Sequence, residues 1–323
     1  MFKLNSAVIG VGKMGRNHAR VYSEISNLVA VCDLDEKVGD EIANKYNCKY
    51  YKDYKTMLKE NKIDVVSIAV QTHLHKKIAM DVIDLGVDLL IEKPIATTVK
   101  DALEIIKAAE GKKVKLTVGH IERFNPAVVK LKEIIKNKEL GEINTIMSRR
   151  VGVAGSAITY ENVILDLAIH DIDIFNYLLE TEPKSFYCLL GKSLHKDRED
   201  YADILFKYGK TNAFLQVNWL TPIKIRILNI TGTKGYAELN FITQELKLYK
   251  NSYTTDYNDF GEFVIKFGHP HEQAVQIEKK EPLKFQLESF LKYIQDGSPQ
   301  VMSPHDSLLA VRLAVDILEK GER

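Results

Sequence analysis

The sequence predicts an α/β chain in two parts. An N-terminal Rossmann domain with a doubly wound parallel sheet is followed by a C-terminal α+β domain with a large, mostly antiparallel sheet. Three observations carry this. Apolar runs and helical patterns alternate up to residue 118. The first run empties into Gly10-Val11-Gly12-Lys13-Met14-Gly15, which fits a dinucleotide fingerprint. Beyond residue 119, strand-like runs follow one another with a single helix among them. The domains are therefore drawn at 1–119 and 120–323, with the closing helices placed to pack back on the first.

A chain of 323 residues exceeds one ordinary core and suits two domains. Hydrophobic residues at 45% and charged residues at 28% describe a globular protein, not a disordered one. Lys and Arg total 45 against 44 acids, so net charge points to neither nucleic acid nor a membrane as partner. No apolar run approaches the roughly eighteen residues of a membrane span. The chain enters a strand almost at once, leaving no room for a signal peptide. Cys32, Cys48 and Cys188 are too scattered for a disulfide framework or a metal knuckle. A cytoplasmic location is expected.

Residues 4–9 read as the first strand and 14–26 as the helix after the glycines. In that fingerprint the first glycine permits the turn, the second lets backbone approach a pyrophosphate, and the third lets helix and strand pack closely. The helix aims its first amides at the pyrophosphate. A second strand, 28–32, ends in Asp33, placed to accept both ribose hydroxyls of the adenosine. A carboxylate there opposes a 2′-phosphate, so NAD is favoured over NADP. Helices at 36–46 and 54–60 and a strand at 49–51 continue the alternation, and the strand 64–70 empties into Gln71-Thr72-His73-Leu74-His75. His73 and His75 have no third ligand of suitable kind nearby, so no metal is assigned. His75, at a helix start, is expected to bond backbone and border the cofactor.

The strand 87–91 ends in Glu92-Lys93-Pro94. Ligands in an open parallel sheet bind beyond the carboxyl ends of its strands, which puts Lys93 where a reacting group sits. A solvated Glu-Lys pair closing a strand is the plainer reading of these residues alone. In the second part, strands are expected at 143–151, 185–190, 201–208, 211–219, 225–231, 235–241 and 245–249. The interrupting helix, 162–179, carries Asp166 and His170 four residues apart on one face. An imidazole titrates near neutral pH and a carboxylate one turn away can orient it, although such a pair can equally be structural.

Together the glycine loop, Thr72…His75, Glu92-Lys93-Pro94 and Asp166…His170 resemble the glucose–fructose oxidoreductase/inositol dehydrogenase/MocA family, over essentially the whole chain. The resemblance implies NAD as cofactor and assigns Lys93, Asp166 and His170 to catalysis. Cofactor contacts are expected from Gly10, Gly12, Lys13, Met14, Gly15, Asp33, Thr72, His75, Glu92 and Lys93. Substrate contacts are expected from Lys93, Arg123, Asn125, Asp166, His170, Lys224 and Arg226. His170 is the candidate base, Lys93 the donor to the reacting oxygen, and Asp166 the orienting or proton-sharing group. The resemblance also implies a homodimer or homotetramer formed through the open face of the second sheet.

The stretch from Gly119 to Pro126 looks like the loop of family members acting on UDP-N-acetylglucosamine, as does Asn218 to Arg226. This implies a UDP-amino sugar as substrate, oxidised at C3. Lys224 and Arg226, read as alternating along a strand, would meet a diphosphate, or would be solvated charges on an open sheet. An inositol, free-sugar or other carbonyl substrate stays open, as does a non-catalytic NAD-binding sensor.

Overall fold

The computed structural model describes residues 3–153, 161–250 and 271–322. The chain forms two compact units, residues 1–124 with 280–319 and residues 125–279 with 320–323.

The first unit is built on six parallel strands: β1 (Asn5–Ile9), β2 (Asn27–Cys32), β3 (Lys49–Tyr51), β4 (Val65–Ile68), β5 (Asp88–Ile91) and β6 (Leu116–Val118). Their order is β3-β2-β1-β4-β5-β6. Helices α1 (Gly15–Ile25), α2 (Glu36–Tyr46), α3 (Tyr54–Glu60), α4 (His75–Asp84) and α5 (Val99–Lys112) make the crossovers. Strands β1, β4 and β5 are buried almost throughout, which is why they read as unbroken apolar runs instead of alternating ones.

The chain's last two helices belong largely to this unit. For labelling, α6 (Pro126–Lys136) and α7 (Ile169–Leu179) lie in the second unit, α8 is Pro282–Asp296 and α9 is Pro304–Lys320. Leu283, Leu287, Phe290 and Leu291 of α8 join the same core cluster as Val21, Tyr22 and Val31. Lys115 Nζ closes the end of α8 by donating to the carbonyls of Tyr293 and Ile294, each at 2.9 Å.

The second unit carries eight strands: β7 (Ile143–Val151), β8 (Ser185–Gly191), β9 (Tyr201–Tyr208), β10 (Thr211–Asn218), β11 (Ile225–Gly232), β12 (Gly235–Asn240), β13 (Glu245–Lys250) and β14 (His271–Ala274). The sheet order is β14-β13-β12-β11-β7-β10-β9-β8. All neighbours are antiparallel except β7 and β10, which run parallel. Alternate residues of β9 and β10, from Ala202 to Tyr208 and from Ala213 to Val217, are buried, as a sheet with one covered face requires. Met147 on β7, Tyr187 and Leu189 on β8, and Leu205 on β9 are large apolar side chains left exposed.

Helix α7 is bolted to the sheet by polar contacts. Asp171, fully buried, accepts from Ser148 Oγ at 2.6 Å and from Arg150, both on β7. Tyr208 donates to Asn176 at 2.7 Å. Lys132 Nζ, from α6, donates to the carbonyl of Tyr177 at 2.6 Å and so closes the far end of α7.

Three local expectations are corrected. The helix expected over 162–179 opens as a π-helix, Ile164–Ala168, before α7 begins; nothing in apolar spacing separates a π-turn from an α-turn. The short strand β14 was not foreseen. Lys224 precedes β11 and does not alternate with Arg226 along it, because the strand starts at Ile225.

Removing the Asp171 carboxylate takes away the buried partner facing the Arg150 guanidinium. Asp171→Ala is expected to cost about 3–5 kcal/mol of stability, read from the urea midpoint.

Candidate active site

In the first unit the glycine loop runs from β1 into α1. Gly10 has φ +83° and its N–H donates to the Cys32 carbonyl at 2.8 Å, tying the loop to the end of β2. A Cβ on Gly15 would lie 1.7 Å from the Gly10 carbonyl oxygen, so the helix can approach the strand only without a side chain there. A Cβ on Gly12 would meet nothing within 4 Å. Among the described residues nothing packs against that position, and the open space beside it suits a pyrophosphate.

Asp33 follows β2. Its Oδ2 accepts the Val11 N–H at 2.7 Å and its Oδ1 accepts the Asp35 N–H at 3.0 Å. The carboxylate is thus pinned beside the loop and remains half-exposed. Helices α2, α3, α5 and α6 are capped by the side chains of Asp35, Asp53, Thr98 and Asn125, whereas α1, like α4 and α8, has no side-chain cap and no acid in its first turn. The N–H groups of Arg16 and Asn17 are already spent on the carbonyls of Gly12 and Met14, at 3.1 and 2.9 Å, so the loop amides ahead of them are the ones an anion would meet. These features fit NAD: the glycine loop and α1 would hold the pyrophosphate, with Lys13 exposed and Met14 half-exposed on the loop, and Asp33 would take the ribose.

After β4, Thr72 opens a single 3₁₀ turn and is 8% exposed. His75 is fully buried, its ring nitrogens 2.9 Å from the Pro94 carbonyl and 3.1 Å from that of Val70. Burial depresses its pKa below the usual histidine value despite those carbonyls. Beyond β5, the Lys93–Pro94 bond is cis and Lys93 is half-exposed. Glu92 is buried, with Oε1 2.8 Å from His18 Nε2 and Oε2 accepting the Lys93 N–H at 3.2 Å.

The turn Ile121–Phe124 is strapped to α9. Arg123, 4% exposed, donates from Nη1 to Asp306 at 3.0 Å and to the Val301 carbonyl at 3.2 Å. His120 pairs with Ser307 at 3.0 Å. Asn125, buried in the second unit, caps α6 and donates to the Phe241 carbonyl at 3.0 Å. These contacts fix where Arg123 and Asn125, both expected at the substrate, are held.

In the second unit Asp166 lies in the π-turn and His170 in the first turn of α7, both half-exposed. Asn162 Oδ1 starts this segment by accepting the N–H groups of Ile164 and Leu165 at 3.1 and 3.0 Å. Asp166 Oδ2 accepts the indole N–H of Trp219 at 3.1 Å. Trp219 is 2% exposed, donates its backbone N–H to Asp200, and meets the His195 ring edge-on at 5.8 Å. Lys224 is exposed, and Arg226 is half-buried with Nη1 on the carbonyls of Val151 and Ile225.

Sequence reasoning missed His18, Ser67 and Trp219. His18 stands three residues past Gly15 on the buried face of α1, and Trp219 is the chain's single tryptophan; both were available signals.

Two outcomes follow from this geometry. Gly12→Ala is expected to leave stability within about 0.5 kcal/mol, because its methyl meets only open space. It should weaken NAD by about tenfold or more, a loss of about 1.4 kcal/mol measured by calorimetric titration. Because both Asp33 oxygens are held by backbone amides, the carboxylate cannot turn away from a 2′-phosphate. Titration should therefore give tighter binding of NAD than of NADP; the reverse order would remove Asp33 from the ribose.

Residues 4–120 match the family described as "Oxidoreductase family, NAD-binding Rossmann fold", and residues 128–238 match the "GFO/IDH/MocA C-terminal domain". The chain is 28% identical to the UDP-N-acetylglucosamine 3-dehydrogenase of Acidithiobacillus ferrooxidans, over 93% of this chain and 91% of that protein. It is 26% identical to an inositol 2-dehydrogenase of Salmonella typhimurium, over 78% of this chain and 79% of that one. A solved structure of the Acidithiobacillus ferrooxidans enzyme superposes with TM-score 0.86 and 25% identity, covering 100% of this chain and 99% of that one. Levoglucosan dehydrogenase in complex with NADH and levoglucosan, at TM-score 0.84 and 20% identity over 98% of this chain and 96% of that one, shares the fold. With both units matched, the chain belongs to the Gfo/Idh/MocA family of NAD-binding oxidoreductases.

Proposed function

We propose that this chain is an NAD-dependent dehydrogenase that oxidises a secondary alcohol of a nucleotide-activated amino sugar, with UDP-N-acetylglucosamine taken to its 3-keto form as the first choice. The observation that carries the substrate choice is 28% identity sustained over 93% of the chain. Similarity to the UDP-N-acetylglucosamine 3-dehydrogenase runs through 93% of the chain, and similarity to the inositol 2-dehydrogenase through 78%. Lys224, exposed just ahead of β11, supports the reading as a cation for the diphosphate.

Bound NAD supplies the hydride acceptor. In this reading Lys93 donates a hydrogen bond to the reacting oxygen and stabilises its developing negative charge. His170 takes the hydroxyl proton, and Asp166, steadied by Trp219, orients the substrate or the imidazole. The presence of both Lys93 and His170 weighs against a non-catalytic sensor. The exposed Met147, Tyr187, Leu189 and Leu205 support self-association through the second sheet.

The test is to incubate protein and NAD with UDP-N-acetylglucosamine, its uronate, UDP-glucose and myo-inositol, following NADH absorbance with a carbonyl trap present. Oxidation of UDP-N-acetylglucosamine is expected; turnover of inositol with none of any UDP-sugar would overturn the substrate. Lys93→Ala and His170→Ala should each lower kcat about a hundredfold or more. NAD affinity should change little in either. Near-normal turnover by His170→Ala would move the base to Asp166 or Lys93.

A further inference from the structure

Two fully buried histidines hold the residues on either side of Lys93, one through a backbone carbonyl and one through a side-chain carboxylate. Downstream, His75 lies against the Pro94 carbonyl at 2.9 Å. Upstream stands a longer chain of contacts. Ser67 on β4 donates its hydroxyl to Tyr22 Oη at 3.0 Å. Its single proton being used, Ser67 Oγ must accept from His18 Nδ1, also at 3.0 Å. His18 Nε2 then faces Glu92 Oε1 at 2.8 Å, and Glu92 Oε2 accepts the N–H of Lys93 at 3.2 Å. A Cβ on Gly119 would come within 2.8 Å of both Glu92 oxygens, so the carboxylate fits only because that position is bare.

Tyr22, Ser67 and His18 are fully buried and Glu92 is 8% exposed. Burying an ion pair is weak support for a fold, since apolar residues of similar volume usually serve as well or better. Stability alone therefore does not account for four polar groups in a line between α1 and the end of β5. Burial by itself would raise the Glu92 carboxyl, but the hydrogen bond and charge of His18, with the charge of Lys93, hold it below the usual range. It stays ionised, an acceptor for the one amide it reaches.

We propose that the buried His18–Glu92 pair, backed by Ser67 and Tyr22, is a positioning device for Lys93: it fixes the peptide plane at residue 93 so that the side chain leaves the strand in one direction. The proposal rests on the reading of Lys93 as the group that meets the reacting oxygen. His18 and Glu92 touch neither substrate nor the reacting atoms in this account; they act through Lys93.

The test has two readouts on the full-length protein. Hydrogen exchange at the Lys93 amide, without any ligand, is expected to accelerate about tenfold or more in His18→Leu and to return toward the parent rate in His18→Gln, whose amide can still donate to Glu92. Turnover of UDP-N-acetylglucosamine with NAD should show kcat lowered by about tenfold or more in His18→Leu, with NAD affinity and sugar KM nearly unchanged. Should His18→Leu fail to fold, Ser67→Ala, which removes the partner of His18 Nδ1, takes its place with expectations in the same direction. Unchanged exchange at Lys93, or a kcat loss matched by an equal loss of NAD affinity, would overturn the proposal. Full turnover by Lys93→Ala would instead overturn the reading of Lys93, leaving the exchange result to stand on its own.

Discussion

Strand β1 has β2 on one side and β4 on the other, and that reversal of strand order decides where a ligand can sit in the first unit. Crossovers on the two sides leave toward opposite faces, so the loops after β1 and β4 part and open a crevice. The glycine loop follows β1, Asp33 follows β2, Thr72 and His75 follow β4, and Lys93 follows β5, all at the carboxyl ends of their strands. Short hydrogen bonds then knit these loops together: Gly10 to Cys32, Val11 to Asp33, Glu92 to His18, and His75 to Pro94. The crevice is thus lined by backbone whose position the sheet fixes and whose own polar groups fix one another.

The second unit solves a different problem, that of setting a helix on a sheet in one rotation. Helix α7 is buried on nearly every side, so apolar contact alone would define its angle poorly. Asp171 does so by pairing with Ser148 and Arg150 on β7. Once that residue faces the sheet, His170 is turned about 100° from it, the step of one residue in a helix. The π-turn just before shifts Asp166 relative to an α-helical register, and Trp219 holds its carboxylate there. Asp200 steadies Trp219 in turn. Burial would raise its carboxyl, but the amides of His195, Ser193 and Leu194 hold it below the usual range.

Much of this was legible in the sequence, for reasons particular to each element. The Rossmann strands announced themselves because both faces are covered, leaving uninterrupted apolar runs. Glycines at 10, 12 and 15 and the acid at 33 were readable because each answers a steric or electrostatic demand made within some twenty-five residues of chain. The long-range partners were not. His18 meets Glu92 across 74 residues and Trp219 meets Asp166 across 53, and neither spacing carries a period. Arg123 finds its ion-pair partner over a longer span still, in Asp306, 183 residues along the chain. The π-turn escaped because apolar spacing over five residues does not distinguish it from an α-turn.

Cys32 shows how the same surroundings can silence a group. It ends β2 beside Asp33, where a reactive thiolate would sit at the cofactor loop. Burial, with the charges of Asp33 and Asp53, pushes its thiol up to about 12. At neutral pH it is a small hydrophobe whose carbonyl accepts the Gly10 N–H. Asp33 therefore has two effects in one place. Its carboxylate is held beside the glycine loop by two backbone amides, and its charge adds to the burial that keeps the adjacent sulfur protonated. A neutral residue at 33 would remove only a lesser influence on the thiol, since burial, the largest, would remain.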